Sequence, residues 1–203
     1  MVKNIIFDLS EVIISGYHGA EKIIEQNTRI SAESFLKRKR ETINIFLDTM
    51  RGKYSEDEYL SYLLKDTNWN ISKEKLKVLI RKNLNMPVKG TIDIIKELKD
   101  NYKLILLSDY VREWMDYIFE NNIELSLFNH KYFSYDYKKL KSDEGTFKYI
   151  ISDLNIKPEE TIFIDDYESN VQVANKNGIK GIIFKDAEQL RIELEKVDIL
   201  QHI

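Results

Sequence analysis

Apolar positions along the chain fall into two textures. The runs "IIF", "LILL", "IFI" and "IIF", within "NIIFDLS", "KLILLSD", "TIFIDD" and "GIIF", are short and show no alternation with polar residues. That is the pattern of central strands buried on both faces of a sheet. Elsewhere apolar residues recur at helical spacing, as in "TIDIIKELKD", "VREWMDYIFEN", "DEGTFKYIISDL", "ESNVQVANKNG" and a last helix from Asp186. A further short strand is expected in "HKYFSY". From about Gly16 to Asn85 the chain reads as helices alone. There "SAESFLKRKRETINIFLDTM", "SEDEYLSYLLKD" and "SKEKLKVLIRKNL" each open on a serine with an acid in the first turn, as helix N-caps do. Pro87 and Gly90 then punctuate the chain before strands and helices begin to alternate.

Alternation of this kind predicts an α/β fold: a three-layer, Rossmann-like parallel sheet core split by a helical insertion after its first strand. The expected division is a core of residues 1–15 and 87–203 and an insertion of residues 16–86. A chain of 203 residues is long enough for such a core.

Composition narrows the function classes. With 43% hydrophobic and 32% charged residues the chain is a globular type, and no apolar run reaches membrane-span length. The N-terminus has no secretory pattern, which makes a cytoplasmic protein the expectation. A net charge of −3 speaks against a nucleic-acid surface. The basic run Lys37–Arg40 is expected to lie on a solvated helix face, largely off an apolar stripe of Leu36, Ile43, Leu47 and Met50. Without cysteine there is no thiolate metal site, and His18, His130 and His202 show no ligand spacing.

The chemistry gathers at strand ends. "IIFD" stops at Asp8, "LILLSD" at Ser108 and Asp109, "TIFIDD" at Asp165 and Asp166. Ligands of open parallel sheets bind beyond the carboxyl ends of the strands, so these groups are expected to converge. Several carboxylates in one volume repel, and a hard divalent cation relieves that repulsion. An all-oxygen donor set points to Mg²⁺, and Mg²⁺ favours phosphate oxygens, so the expected substrate is a small phosphate ester. A cation for the phosphate is sought among Lys138, Lys139 and Lys141. Lys141 is favoured because it precedes Ser142, the expected N-cap of the next helix.

These stretches resemble, in order and over the whole chain, the motifs of the haloacid dehalogenase (HAD) superfamily. "FDLSEV" is similar to the first motif, "LLSD" to the second, the Lys141 segment to the third, and "IFIDDYESNVQVANKNGI" to the fourth. The segment between the first two resembles the family's helical cap, and "RGKYSEDEY" resembles caps of its sugar-phosphate phosphatases. The resemblance implies that Asp8 is a nucleophile forming an aspartyl-phosphate. It implies Mg²⁺ on Asp8, Asp166 and the Ser10 backbone carbonyl, with Asp165 bound through water or in an outer position. Ser108, Asp109 and Lys141 would bind the phosphoryl group. The cap would select the leaving group, with Tyr17 and Tyr54 as candidates to face it.

Three positions depart from the resemblance. Ser10 stands where phosphatases of the family carry a second Asp as general acid and base, Asp109 where Asn is common, and Ser142 where Pro is frequent. Ser10 keeps open a second reading, a catalytically weak protein that binds a phosphometabolite or partner for regulation. A metal-independent dehalogenase is disfavoured by the paired Asp165 and Asp166. A phosphoacceptor receiver domain is disfavoured by the long helical insertion.

Overall fold

The computed structural model describes residues 1–121 and 123–200. Five strands, β1 (Asn4–Phe7), β2 (Lys103–Ser108), β3 (His130–Phe133), β4 (Thr161–Asp165) and β5 (Lys180–Ile183), form one sheet in the order β3-β2-β1-β4-β5. Every neighbouring pair is parallel. Between β1 and β2 run α1 (Ala20–Asn27), α2 (Ala32–Glu41), α3 (Ile43–Met50), α4 (Glu56–Leu64), α5 (Lys73–Arg81) and α6 (Thr91–Leu98). After β2 come α7 (Arg112–Asn121), the single turn α8 (Ser134–Tyr137), α9 (Thr146–Leu154), α10 (Glu168–Lys176) and α11 (Ala187–Glu195).

Successive strand side chains point to opposite faces. Ile5 and Phe7 pack with Leu104, Leu106, Ile162 and Ile164 into a core that takes in α6, α7 and α11. Ile6 joins Ile105, Leu107 and Phe163 in a second core closed by Phe147 and Ile150 of α9 and Ala174 of α10. The three central strands, β1, β2 and β4, therefore have no solvent face, which is why their apolar runs do not alternate. This is the expected three-layer α/β fold.

The segments that flank the inserted helices lie together. Ser15 N–H donates to the Met86 carbonyl at 2.7 Å and Val88 N–H to the Ile13 carbonyl at 2.9 Å, so the two crossing strands are tied together. The serines expected as N-caps do cap: Ser31 accepts from Ser34 N–H and Ser72 from Lys75 N–H, while Ser55 and Glu58 form a reciprocal capping box.

Four local expectations need correction. The helix expected through residues 32–50 bends at Thr42, whose hydroxyl donates back to the Arg38 carbonyl at 2.9 Å and draws the backbone out of helical geometry. Strand "HKYFSY" ends at Phe133, because Ser134 turns into α8 and its hydroxyl donates to the Met50 carbonyl at 2.6 Å. Ser142 is not a helix cap: α9 starts after Gly145, whose φ of 85° suits glycine, and the Lys141 turn is closed by Asp143 accepting from Leu140 N–H. The Lys37–Arg40 run is not simply a solvated face. Arg38 donates to the carbonyls of Tyr62, Leu63 and Lys65 at the end of α4, and Lys39 turns inward onto the Tyr17 ring.

Candidate active site

β1 and β4 lie side by side where the sheet order reverses direction, the position at which α/β sheets open a crevice. Phe7 is level with Ile164, and Asp8 N–H donates to the Ile164 carbonyl at 2.9 Å, carrying the ladder one residue further. Asp8 and Asp165 are thereby held abreast. One carboxylate oxygen from each of Asp8, Asp165 and Asp166 lies within 4.8 Å of the others. Lys141 reaches into this cluster from the turn before α9. Its ammonium sits 2.7 Å from Asp8 Oδ1 and 2.6 Å from Asp165 Oδ2, with 3% of the side chain exposed.

Each acid has a different set of donors. Asp8 Oδ1 takes Lys141 and, at 2.7 Å, Leu9 N–H, which leaves Oδ2 without a protein donor among the described residues. Both oxygens of Asp165 are committed, to Lys141, to Tyr167 N–H at 2.7 Å and to Asn170 at 3.2 Å. Asp166 is half-buried at the cavity edge. Asp8 and Asp166 are thus the carboxylates with oxygens to offer a cation, and Asp165 serves to hold Lys141 and the start of α10. An all-oxygen group of this kind fits Mg²⁺.

Burial pushes the Asp8 carboxyl well above the usual range, against the pull of Lys141. Asp166 is pushed up to about 6 by burial and by Asp165. Burial alone would lower the Lys141 ammonium, but Asp165, Asp8 and Asp109 outweigh it and keep Lys141 charged. The cluster is short of positive charge, which a divalent cation would supply.

Ser108 ends β2 fully buried, with no hydrogen-bond partner for its hydroxyl. An orphaned buried hydroxyl is costly unless a ligand completes it. Asp109 does not present a free carboxylate: both its oxygens accept Lys141 N–H, at 3.0 and 3.1 Å, and burial pushes it up to about 6. It fixes the lysine turn. Arg51, at the end of α3, makes a bidentate pair with Asp143 at 3.0 and 2.8 Å and ties the same turn to the inserted helices. Asn170 escaped the sequence reading, although its place on the first turn of α10, five residues past Asp165, aims its amide back at the acids. Arg51 and Asp143 are 92 positions apart and gave no local signal.

Beside the acids opens a cavity of about 570 Å³, lined by Asp8, Ser10, Asp109, Lys141, Ser142 and Asp166 at one end and by α2, α3 and aromatic side chains at the other. Tyr17 lines it, as expected. Tyr54 does not, and packs instead against Tyr62 at 5.8 Å. The stripe of Leu36, Ile43, Leu47 and Met50 faces this cavity too. His18 lies at the cavity's exposed rim, His130 sits on β3, and His202 lies outside the described residues.

Residues 2–178 match the sequence profile of the haloacid dehalogenase-like hydrolases. The chain belongs to that family. It is 26% identical over 203 residues to D-ribitol-5-phosphate phosphatase of Bacteroides thetaiotaomicron, covering 96% of this chain and 97% of that one. Among solved structures, a HAD family enzyme of the same organism, a magnesium complex, superposes with a TM-score of 0.79 at 25% identity, over 95% of this chain and 98% of that chain. A HAD-like hydrolase from Porphyromonas gingivalis superposes with a TM-score of 0.76 at 25% identity, over 99% and 100%. No described helix is long and apolar enough to cross a membrane.

Proposed function

We propose that this HAD-family chain is a Mg²⁺-dependent phosphatase of small phosphorylated metabolites. In this reading residues 16–86 act as a cap over a core of residues 1–15 and 87–203. The observation that carries it is Lys141, bridging Asp8 and Asp165 beside Asp166. A charged lysine between a nucleophile candidate and an anchored acid suits a site that must accept a phosphate dianion. The magnesium complex of a similar enzyme and the phosphatase activity named for the B. thetaiotaomicron relative support the same reading. That relative's name also supports the sugar-phosphate type of substrate.

In this mechanism Asp8 attacks phosphorus, the bond to the leaving alcohol breaks, and water then hydrolyses the aspartyl-phosphate. Bound Mg²⁺ would neutralise charge between carboxylates and phosphate, held by Asp8, Asp166 and the Ser10 carbonyl. Lys141 and the unpaired Ser108 hydroxyl hold phosphoryl oxygens, and Asp109 keeps the Lys141 turn in place. Phosphate release from an aryl and an alkyl ester is expected to stop on chelation and to return with added Mg²⁺. Full turnover after exhaustive metal removal would refute the site.

Ser10 sets the expected rate. It packs against Gly16, where an added Cβ would lie 1.6 Å from the Ser10 hydroxyl, and it faces the buried Tyr110 hydroxyl. No carboxylate stands at this position to protonate the leaving group. General acid–base catalysis is typically worth about 10²–10⁴-fold, so alkyl phosphates are expected to be slow and activated aryl phosphates comparatively fast. Ser10→Asp is expected to raise kcat on an alkyl ester by roughly 10-fold or more and to act less on the aryl ester. If Ser10→Asp slows rapid alkyl turnover instead, another group carries the proton. If neither protein turns over any ester while both bind Mg²⁺ and phosphate, the regulatory reading replaces this one.

A further inference from the structure

The wall opposite the acids has unusual chemistry for a site that would release a polyol. Tyr17 packs against Trp114 and Phe46 with ring centroids 4.9 and 5.0 Å away, and Phe46 against Tyr59 at 5.1 Å. The polar atoms of these rings are already spent. The Tyr17 and Tyr59 hydroxyls bond each other at 2.9 Å, and Trp114 Nε1 donates to Glu56 at 2.7 Å. Glu56, 1% exposed, is held in turn by Arg81. Lys39 is engaged by the Tyr17 carbonyl at 3.0 Å and lies 3.9 Å from the centre of that ring. What the wall offers a ligand is ring surface and aliphatic carbon.

The second observation is independent of the rings. Leu36, Ile43, Leu47 and Met50 of the bent α2–α3 pair all line the cavity; the first three belong to neither core, and Met50 also packs against the larger one. Ile43 is 45% exposed. The bend at Thr42 turns α3 so that this stripe meets the site. Water is a poor partner for such a surface, and an apolar ligand is a good one. Since the phosphoryl group must sit by Asp8 and Lys141, the leaving group has to extend along this wall. The cavity, about 570 Å³, has room for more than a phosphoryl group.

We propose that the alcohol released here is apolar and carries a ring, so that the substrate is an aralkyl phosphate rather than a polyol phosphate. This rests on the phosphatase reading, and for the leaving group it sets the cavity wall of this chain above the sugar-phosphate type that the relative's name supports. A polyol entering the wall would give up hydration for its several hydroxyls and find few partners there, chiefly the Tyr110 hydroxyl and the Lys39 ammonium. Arg40 and His18 also line the cavity, at solvent-exposed positions where water already serves their polar atoms.

The test compares kcat/KM for 2-phenylethyl phosphate and ribitol 5-phosphate with the intact protein and Mg²⁺. Both are primary alkyl esters, so leaving-group chemistry gives the aralkyl ester no advantage. The aralkyl ester is expected to win by on the order of 10²-fold, the scale set by removing a phenyl ring from water. Ile43→Asn and Leu47→Asn, both at partly exposed positions, are expected to lower kcat/KM for the aralkyl ester by about 10-fold, mainly through KM, while sparing the polyol ester. Equal or faster turnover of ribitol 5-phosphate overturns the proposal. Variants that depress both esters alike overturn it too. If neither ester, nor an aryl phosphate, releases phosphate, the phosphatase reading itself fails and takes this proposal with it.

Discussion

Asp8→Asn is expected to abolish phosphate release, with a loss of at least about 10⁴-fold, and to leave the protein folded. An amide is a poor nucleophile and cannot carry a phosphoryl group through the hydrolytic half of the reaction. The fold should tolerate the change for an electrostatic reason. Asp8 is 4% exposed, and burial together with Asp165 and Asp166 works against its ionised form. Removing that charge relieves repulsion, whereas Lys141 keeps its contact with Asp165 at 2.6 Å. A melting temperature equal to or above wild type in metal-free buffer, with no detectable phosphate release, is the expected pair of results. Retained turnover would leave Asp8 as an ordinary turn residue and remove the mechanism.

The three strands that matter most were legible because two signals coincide in them. "NIIF", "KLILLS" and "TIFID" are apolar without interruption, and each is followed or closed by a polar group at the crevice. A parallel sheet has to place those ends together, so local pattern alone sufficed to bring Asp8, Ser108 and Asp165 to one edge. Lys141 was reached for a reason that did not survive. Ser142 was expected to cap α9 and so fix the lysine, whereas the turn is fixed by Asp109 and Asp143. Asp143 is in turn gripped by Arg51, a contact between segments far apart in sequence.

The inserted helices were less legible, and their errors share a cause. Serine caps are decided within four residues, and all three were read correctly. The bend at Thr42 is a side chain bonding back to its own helix, a habit of threonine that does not always kink a helix. Because of it, helical spacing revealed an apolar stripe on residues 36–50 without revealing what that stripe faces. Tyr17 and Tyr54 looked equivalent in sequence. One enters the cavity and the other packs edge-on against Tyr62, and only tertiary packing distinguishes them.

Lys141→Met is expected to damage both activity and stability, and the two losses should separate. The lysine is 3% exposed, and its ammonium lies within 2.7 Å of two carboxylates that are themselves buried. Methionine fills much of the same volume without charge, so the change isolates the electrostatic role. Breaking a buried ion pair by removing one partner costs about 3–5 kcal/mol, and for a chain of this size that lowers the melting temperature by roughly 10 °C. The deficit should shrink as the pH falls. Asp8 already stands above the usual carboxylate range through burial, with Lys141 pulling it down, so without Lys141 it is raised further and the penalty of its charge is lost as it protonates. Added Mg²⁺ should recover part of the melting temperature by supplying positive charge to the same acids. It should not recover turnover, because the phosphoryl oxygens would still lack the donor that stabilises the transition state, a loss of about 10³-fold or more. Thermal melts across pH, with and without Mg²⁺, beside phosphate-release assays make the separation visible. A variant that melts like wild type would show that Lys141 does not neutralise the acid cluster, and one that also turns over normally would move the phosphate-binding cation elsewhere.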